Sequence, residues 1–201
     1  MQPGEATLYN RSIHILLVGA NLWYIGEGMF APLLSVYAQR IGGNILDLTG
    51  AWSAYLFVTG LCMLAVGASA DRALAPERLM VAGYALNAIC TFSYLLVVAP
   101  WQLLLVQAGL GVASALATPT WNVLYTAHAP SRRAGMFWGI ANSLQYLISG
   151  CAVLLGGFIV YLGSFTLLFA VMGFVQLIAL ATQLQILRET APVGQAHAVS
   201  E

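Results

Sequence analysis

Polar and apolar positions fall along this chain in long blocks. Six apolar runs, at residues 12–36, 51–70, 79–98, 102–127, 136–161 and 165–187, are separated by short polar connections. Each holds about 20 residues or more, which at about 1.5 Å per residue crosses a ~30 Å hydrocarbon core. A membrane barrel needs segments of roughly ten alternating residues, and these runs do not alternate. The pattern predicts an all-α integral membrane protein, a bundle of six transmembrane helices. The connections at 99–100 and 162–164 are very short, which predicts that consecutive helices lie as antiparallel neighbours. Residues 1–11 read as a polar N-terminal segment and 12–187 as the six-span domain. Residues 188–201, with Pro192 and Gly194, read as a polar tail or the start of a linker.

Composition sharpens the class. The chain is 60% hydrophobic and 7% charged, against about 25% charged in soluble domains. Too little polar surface is left to clothe a globule in water, so the lipid bilayer is its solvent. Net charge is zero and all seven basic residues are arginine, so no basic face for nucleic acid exists. Cys62, Cys90 and Cys151 all fall inside apolar runs and read as packing residues, with no disulfide framework, metal site or cofactor implied. No cleavable signal is expected, since residues 1–12 are polar and the first run outlasts a signal's apolar core.

Charge also predicts orientation. With the N-terminus inside, Arg11, Arg72, Arg78, Arg132, Arg133 and Arg188 are cytoplasmic and Arg40 alone is outside. That bias predicts cytoplasmic termini. Trp52, Trp101 and Tyr161 then sit near outer helix ends, where interfacial aromatics collect. A multi-pass plasma-membrane protein, in the bacterial inner membrane, is the expected setting.

One charged residue lies deep in a span. Glu27, near the middle of the first helix, costs at least ~2.5–3.5 kcal/mol to insert there, so it should face a cavity or a partner. Such a carboxyl can hold or release a proton, or meet a substrate charge. Asn21, Trp23, Tyr24 and Gly28 share its neighbourhood, and Pro32 one turn on can kink the helix. On the fourth helix Gln107, Gly111, Ser114, Thr118 and Asn122 recur at three- and four-residue steps; on the fifth, Asn142, Gln145, Tyr146 and Ser149 do so. Such stripes turn away from lipid, either to line a path or to hydrogen-bond between helices. We take Glu27, Asn21, Tyr24, Gln107, Asn122, Asn142 and Gln145 as the candidate solute and proton pathway. The third and sixth helices, with isolated Tyr84, Asn87 and Gln176, read as supports. Gly67, Gly150, Gly156 and Gly157 read as points of close helix approach.

The halves also echo one another. Ala31-Pro32 with Tyr37-Ala38 parallels Thr118-Pro119 with Tyr125-Thr126-Ala127, and glycines recur in the second and fifth helices. Three helices per unit give the two units opposite topology, an inverted repeat of the kind transporters use.

The connection after the second helix carries Gly67, Asp71 and Arg72, a Gly-x-x-x-Asp-Arg signature, and continues to Arg78. With the six short-looped helices, residues 32–43 and the basic turn at 131–135, it resembles the N-terminal six-helix half of major facilitator superfamily transporters over residues 12–187. The resemblance implies secondary transport of a small solute by alternating access, with Gly67, Asp71, Arg72 and Arg78 controlling conformation. There are departures. Leu74, Ala75 and Pro76 stand where the family's loop continues with glycine and basic residues. Leu105 stands where the family has an arginine before Gly109 and Gly111. Ala152 and Val153 replace the Gly-Pro that precedes Gly156-Gly157 in antiporters. The family has about twelve spans, with the solute site between two halves. The chain therefore reads as a fragment or truncated product, with a second six-helix half or a homodimer partner as the alternative completion.

Two other functions compete. A non-transporting membrane subunit or receptor would show no solute flux. An intramembrane serine protease would use Gly67-Ala68-Ser69, but no histidine lies deep in a later span to act as base. No catalytic residue is assigned.

Overall fold

The computed structural model describes residues 11–70, 76–129 and 133–188, the side chains of 68–70 excepted. Among these residues all regular structure is helical, and six segments are long and apolar enough to cross a membrane. They are Arg11–Arg40, Ile45–Gly67, Pro76–Leu96, Pro100–His128, Ala134–Leu162 and Phe165–Arg188. The arginines at 11, 78, 133 and 188 share one end of the bundle, and Arg40 lies at the other; these are called below the arginine-rich and arginine-poor ends.

Local chemistry sets the boundaries. The first span is broken by one turn of 3-10 helix, Ala31–Leu33, because Pro32 has no N–H to offer the Gly28 carbonyl. After Arg40 the chain reverses through Gly42 at φ 82°, open to glycine without strain. Asn44 then caps the second span: its Oδ1 accepts from the Leu46 and Asp47 N–H at 2.7 and 3.1 Å, and its own N–H donates to Asp47 Oδ2 at 2.8 Å. The span therefore begins at Ile45, earlier than the apolar run at 51. Gln102 Oε1 accepts from the Val98 and Ala99 N–H at 2.7 and 3.1 Å, and Pro100 occupies the first turn of the fourth span. Ser164 Oγ caps the sixth span by accepting from the Leu167 N–H at 3.2 Å. Arg40 is anchored with its guanidinium 5.5 Å from the Phe165 ring centre.

Packing does not follow chain order. The first span packs mainly on the fifth and sixth, the fourth on the second and third, and the third on the sixth. Exchanging first with fourth, second with fifth and third with sixth reproduces this pairing, which is the inverted three-plus-three repeat. The expectation that short loops make consecutive helices packed neighbours is thus corrected for most pairs. Glycine contacts decide instead. A Cβ on Gly156 would collide with the Met29 carbonyl; one on Gly28 would lie 3.2 Å from the Ser149 carbonyl. Gly111 does the same against the Tyr55 carbonyl at 2.8 Å, and Gly83 against Ala113 and Ala117. Gly67, Gly150 and Gly157 face open space, with nothing within 4 Å of a Cβ, so their expected packing role is absent from this bundle.

The first and sixth spans lock through a repeat of seven residues. Gln183 lies over Gly19 and donates to the Leu16 carbonyl at 3.2 Å; Gln176 lies over Gly26 and donates to the Trp23 carbonyl at 3.2 Å. Residues seven apart share a helix face, so two glycine notches receive two amides from the antiparallel partner. Toward the arginine-poor end the core is an aromatic cluster: Phe30, Tyr37, Tyr94 and Phe169 meet with ring centres 4.9 to 5.7 Å apart. At the opposite end Trp121 stacks on Tyr125 at 4.6 Å, and Trp138 meets both edge-on.

Candidate functional site

Glu27 sits between two glycines. Successive residues point about 100° apart around a helix, so Gly26, Glu27 and Gly28 face three directions. Gly26 receives Gln176 of the sixth span, and Gly28 meets Ser149 and Ala152 of the fifth. The direction left to Glu27 faces a cavity of about 560 Å³. Its walls come from the first, second, fourth and fifth spans, with Tyr84 from the third.

Six of the seven pathway candidates meet there. Asn21, Tyr24 and Glu27 line the cavity from the first span, Asn122 from the fourth, and Asn142 and Gln145 from the fifth. Gln107 does not. It lines a smaller chamber of about 90 Å³ on the other side of Glu27, where its Nε2 donates to the Tyr94 hydroxyl at 3.2 Å. Glu27 and Tyr55 line both spaces.

Polar contacts hold the wall. The Trp23 side chain lies one turn before Glu27 and lines the same cavity, and its ring meets Tyr84 edge-on at 4.8 Å. Tyr55 donates to Ser114 Oγ at 3.5 Å, and Thr59 donates to the Gly111 carbonyl at 3.3 Å, tying the second span to the fourth. Trp121 Nε1 donates to the Leu16 carbonyl at 3.0 Å near the arginine-rich end.

The lining joins one carboxylate to six aromatic rings: Trp23, Tyr24, Tyr55, Tyr84, Trp121 and Trp138. Among the described residues no other charged residue lines it. Aromatic faces attract cations and apolar bodies alike, and the volume falls within the ~300–1,000 Å³ of small-molecule pockets. Tyr55, Thr59 and Met63 of the second span line the cavity too, outside the predicted polar stripes. Their spacing of four was a visible signal, hidden by the strongly apolar residues between them. Trp121 and Trp138 stand three and four residues from Thr118 and Asn142, in step with the polar stripes, but an aromatic residue there reads equally well as lipid-facing. Tyr84, Asn87 and Gln176 line the two spaces, which corrects the reading of the third and sixth spans as supports alone.

Of the loop candidates, Gly67 lies in the last turn of the second span's helix, which runs Ile45–Ala70, and Arg78 is exposed in the first turn of the third. Asp71 and Arg72 lie outside the described residues, as does Arg132, and the side chain of Ser69 is likewise not described.

The family model of the Major Facilitator Superfamily matches residues 16–199, nearly the whole chain. The chain belongs to the major facilitator superfamily. This major facilitator chain is 24% identical over 84% of its length to an uncharacterized MFS-type transporter of Methanocaldococcus jannaschii, covering 44% of that protein. It is 27% identical over 70% of its length to multidrug resistance protein MdtG of Dickeya zeae, covering 35% of it. With MdtG of Enterobacter lignolyticus the identity is 25%, over 65% of this chain and 32% of the relative. The chain thus spans less than half the length of these relatives. Membership and the six apolar helices make it a multi-pass integral membrane protein.

Proposed function

We propose that this major facilitator chain forms one half of a secondary active transporter for a small amphipathic organic solute, cationic or exchanged against a proton at Glu27. The observation that carries this reading is the cavity itself, in which a single carboxylate is set among six aromatic rings and four amides. A carboxylate within a span is costly unless it faces a cavity or a partner, and such residues mark solute and proton paths; the aromatic lining offers affinity to a flat or bulky apolar body. Two of the relatives bear the name multidrug resistance protein, which accords with such a solute.

Transport also needs a facing unit. The second and fifth spans are the least covered, with 6% and 11% of their apolar windows buried against 61% for the first. Leu56, Phe57, Leu61 and Leu64 on the second span, and Leu147, Leu154 and Phe158 on the fifth, form the exposed apolar faces. A second six-helix half, or a second copy of this chain, seated on those faces would close the cavity's remaining side. The arginine-rich end would face the cytoplasm of a bacterial inner membrane. Gly67, Asp71, Arg72 and Arg78 would act there as a conformational latch and not as solute contacts.

Tryptophan fluorescence tests the site in the intact transporter assembly, because Trp23, Trp121 and Trp138 line it. Tetraphenylphosphonium is expected to quench with saturable affinity. Glu27→Gln should weaken binding by about tenfold, the scale of a desolvated cation–carboxylate contact. Equal affinity in the two proteins would remove Glu27 from the solute site.

A further inference from the structure

Glu27 has a second face. On the side away from the large cavity, the chamber of about 90 Å³ runs from an exposed rim at Ala31 and Trp52 to a blind end at Asn87 and Gln176. Toward the arginine-poor end Phe30, Tyr94 and Leu34 close it, backed by Phe169 and Tyr37.

The blind end is polar without protein partners. Asn87 is 0% exposed and Gln176 1% exposed. Neither Nδ2 nor Oδ1 of Asn87 has a protein hydrogen bond, and Gln176 spends its Nε2 on the Trp23 carbonyl while its Oε1 has none. An orphaned buried polar atom is costly, and three of them beside one chamber call for an occupant that both donates and accepts. A cation would serve the two oxygens and leave the Asn87 NH2 unpaired. Water serves all three. At about 30 Å³ per molecule the chamber takes roughly three waters, and a polar space of that size with several partners holds them. Tyr94, whose hydroxyl oxygen accepts from Gln107, keeps its own hydrogen free to donate into the chamber.

We propose that this chamber is a hydration site joining Glu27 to Asn87 and Gln176, and that its waters give the Glu27 carboxyl a proton path separate from the solute cavity. The proposal rests on Glu27 being the exchanging carboxyl of the transporter. The titratable groups facing it are Tyr24 from its own helix, Tyr55 from the second span, and Tyr84 and Tyr94 from the third. The fourth, fifth and sixth spans present Ser114, Gln107, Asn142, Gln145 and Gln176, none of which titrates near neutrality. Two compartments meeting at one carboxyl let the solute hold one face while the proton leaves by the other.

Hydrogen–deuterium exchange of the Glu27 carboxyl tests this in the intact assembly in lipid nanodiscs. Its C=O stretching band is read by infrared difference and assigned by its loss in Glu27→Gln. With uncharged triphenylphosphine oxide saturating the large cavity, which leaves the carboxyl protonated, the wild-type band is expected to keep exchanging. Asn87→Leu, which removes the polar anchor of the chamber, should slow exchange by about tenfold, since proton transfer needs direct contact or one bridging water. Ala31→Leu narrows the exposed rim without touching the core, and should slow exchange likewise. Wild-type exchange rates in both variants, with and without the probe, would overturn the chamber path. The reading beneath it fails by a different result: proton-coupled transport that survives in Glu27→Gln.

Discussion

At the scale of single residues, Glu27 shows how neighbours decide what a charge can do. Gly26 and Gly28 admit two other spans so closely that the carboxylate between them is left facing a cavity. Gly26 is the more demanding, because its missing Cβ leaves the space the Gln176 amide occupies. Gly26→Leu should displace Gln176 and break its bond to the Trp23 carbonyl, lowering solute affinity as well as stability. Overpacking of this kind costs about 1–3 kcal/mol, read as a lower midpoint of thermal unfolding in detergent. Tyr125 offers a milder test: its hydroxyl donates to the Phe137 carbonyl at 2.8 Å. Tyr125→Phe should cost about 0.5–1.5 kcal/mol by the same assay. Glu27, Asn122 and Asn142 were legible as candidates because a polar residue in an apolar run has few places to go. The role of Trp121 was not, since an aromatic residue near a helix end reads equally well as lipid-facing, and its bond to Leu16 joins positions 105 residues apart.

At the scale of helices, boundaries were largely legible and partners were not. Capping is local chemistry, and Asn44, Asp47 and Ser164 announce it within a few residues. Partnership depends on which glycines face another helix, and spacing alone did not separate Gly156 from Gly157. The two give a paired test. Gly156→Val would drive a side chain into the Met29 carbonyl, while at Gly157 nothing lies within 4 Å of a Cβ. Gly156→Val is expected to lose about 1–3 kcal/mol of stability, and Gly157→Val to melt within about 0.5 kcal/mol of the wild type in the isolated chain. Equal effects would mean that the first and fifth spans do not meet as described.

At the scale of the whole molecule, the fourth span repeats the first. Pro32 and Pro119, and the exchange of partners between the two sets of three spans, place their polar faces opposite each other across one cavity. The inverted repeat could be glimpsed in the sequence from Gly and Pro alone; the interleaving of the two units could not, because it is written in long-range contacts. The poorly covered second and fifth spans are the surfaces on which a facing unit would move. The measurement that tests the transport reading most directly is solute flux driven by an imposed pH gradient, with the intact assembly in proteoliposomes, comparing wild type with Glu27→Gln. Flux of an organic cation that follows the gradient in the wild type and no longer responds to it in Glu27→Gln is the expected result. Undiminished, still gradient-driven flux in Glu27→Gln would contradict the account.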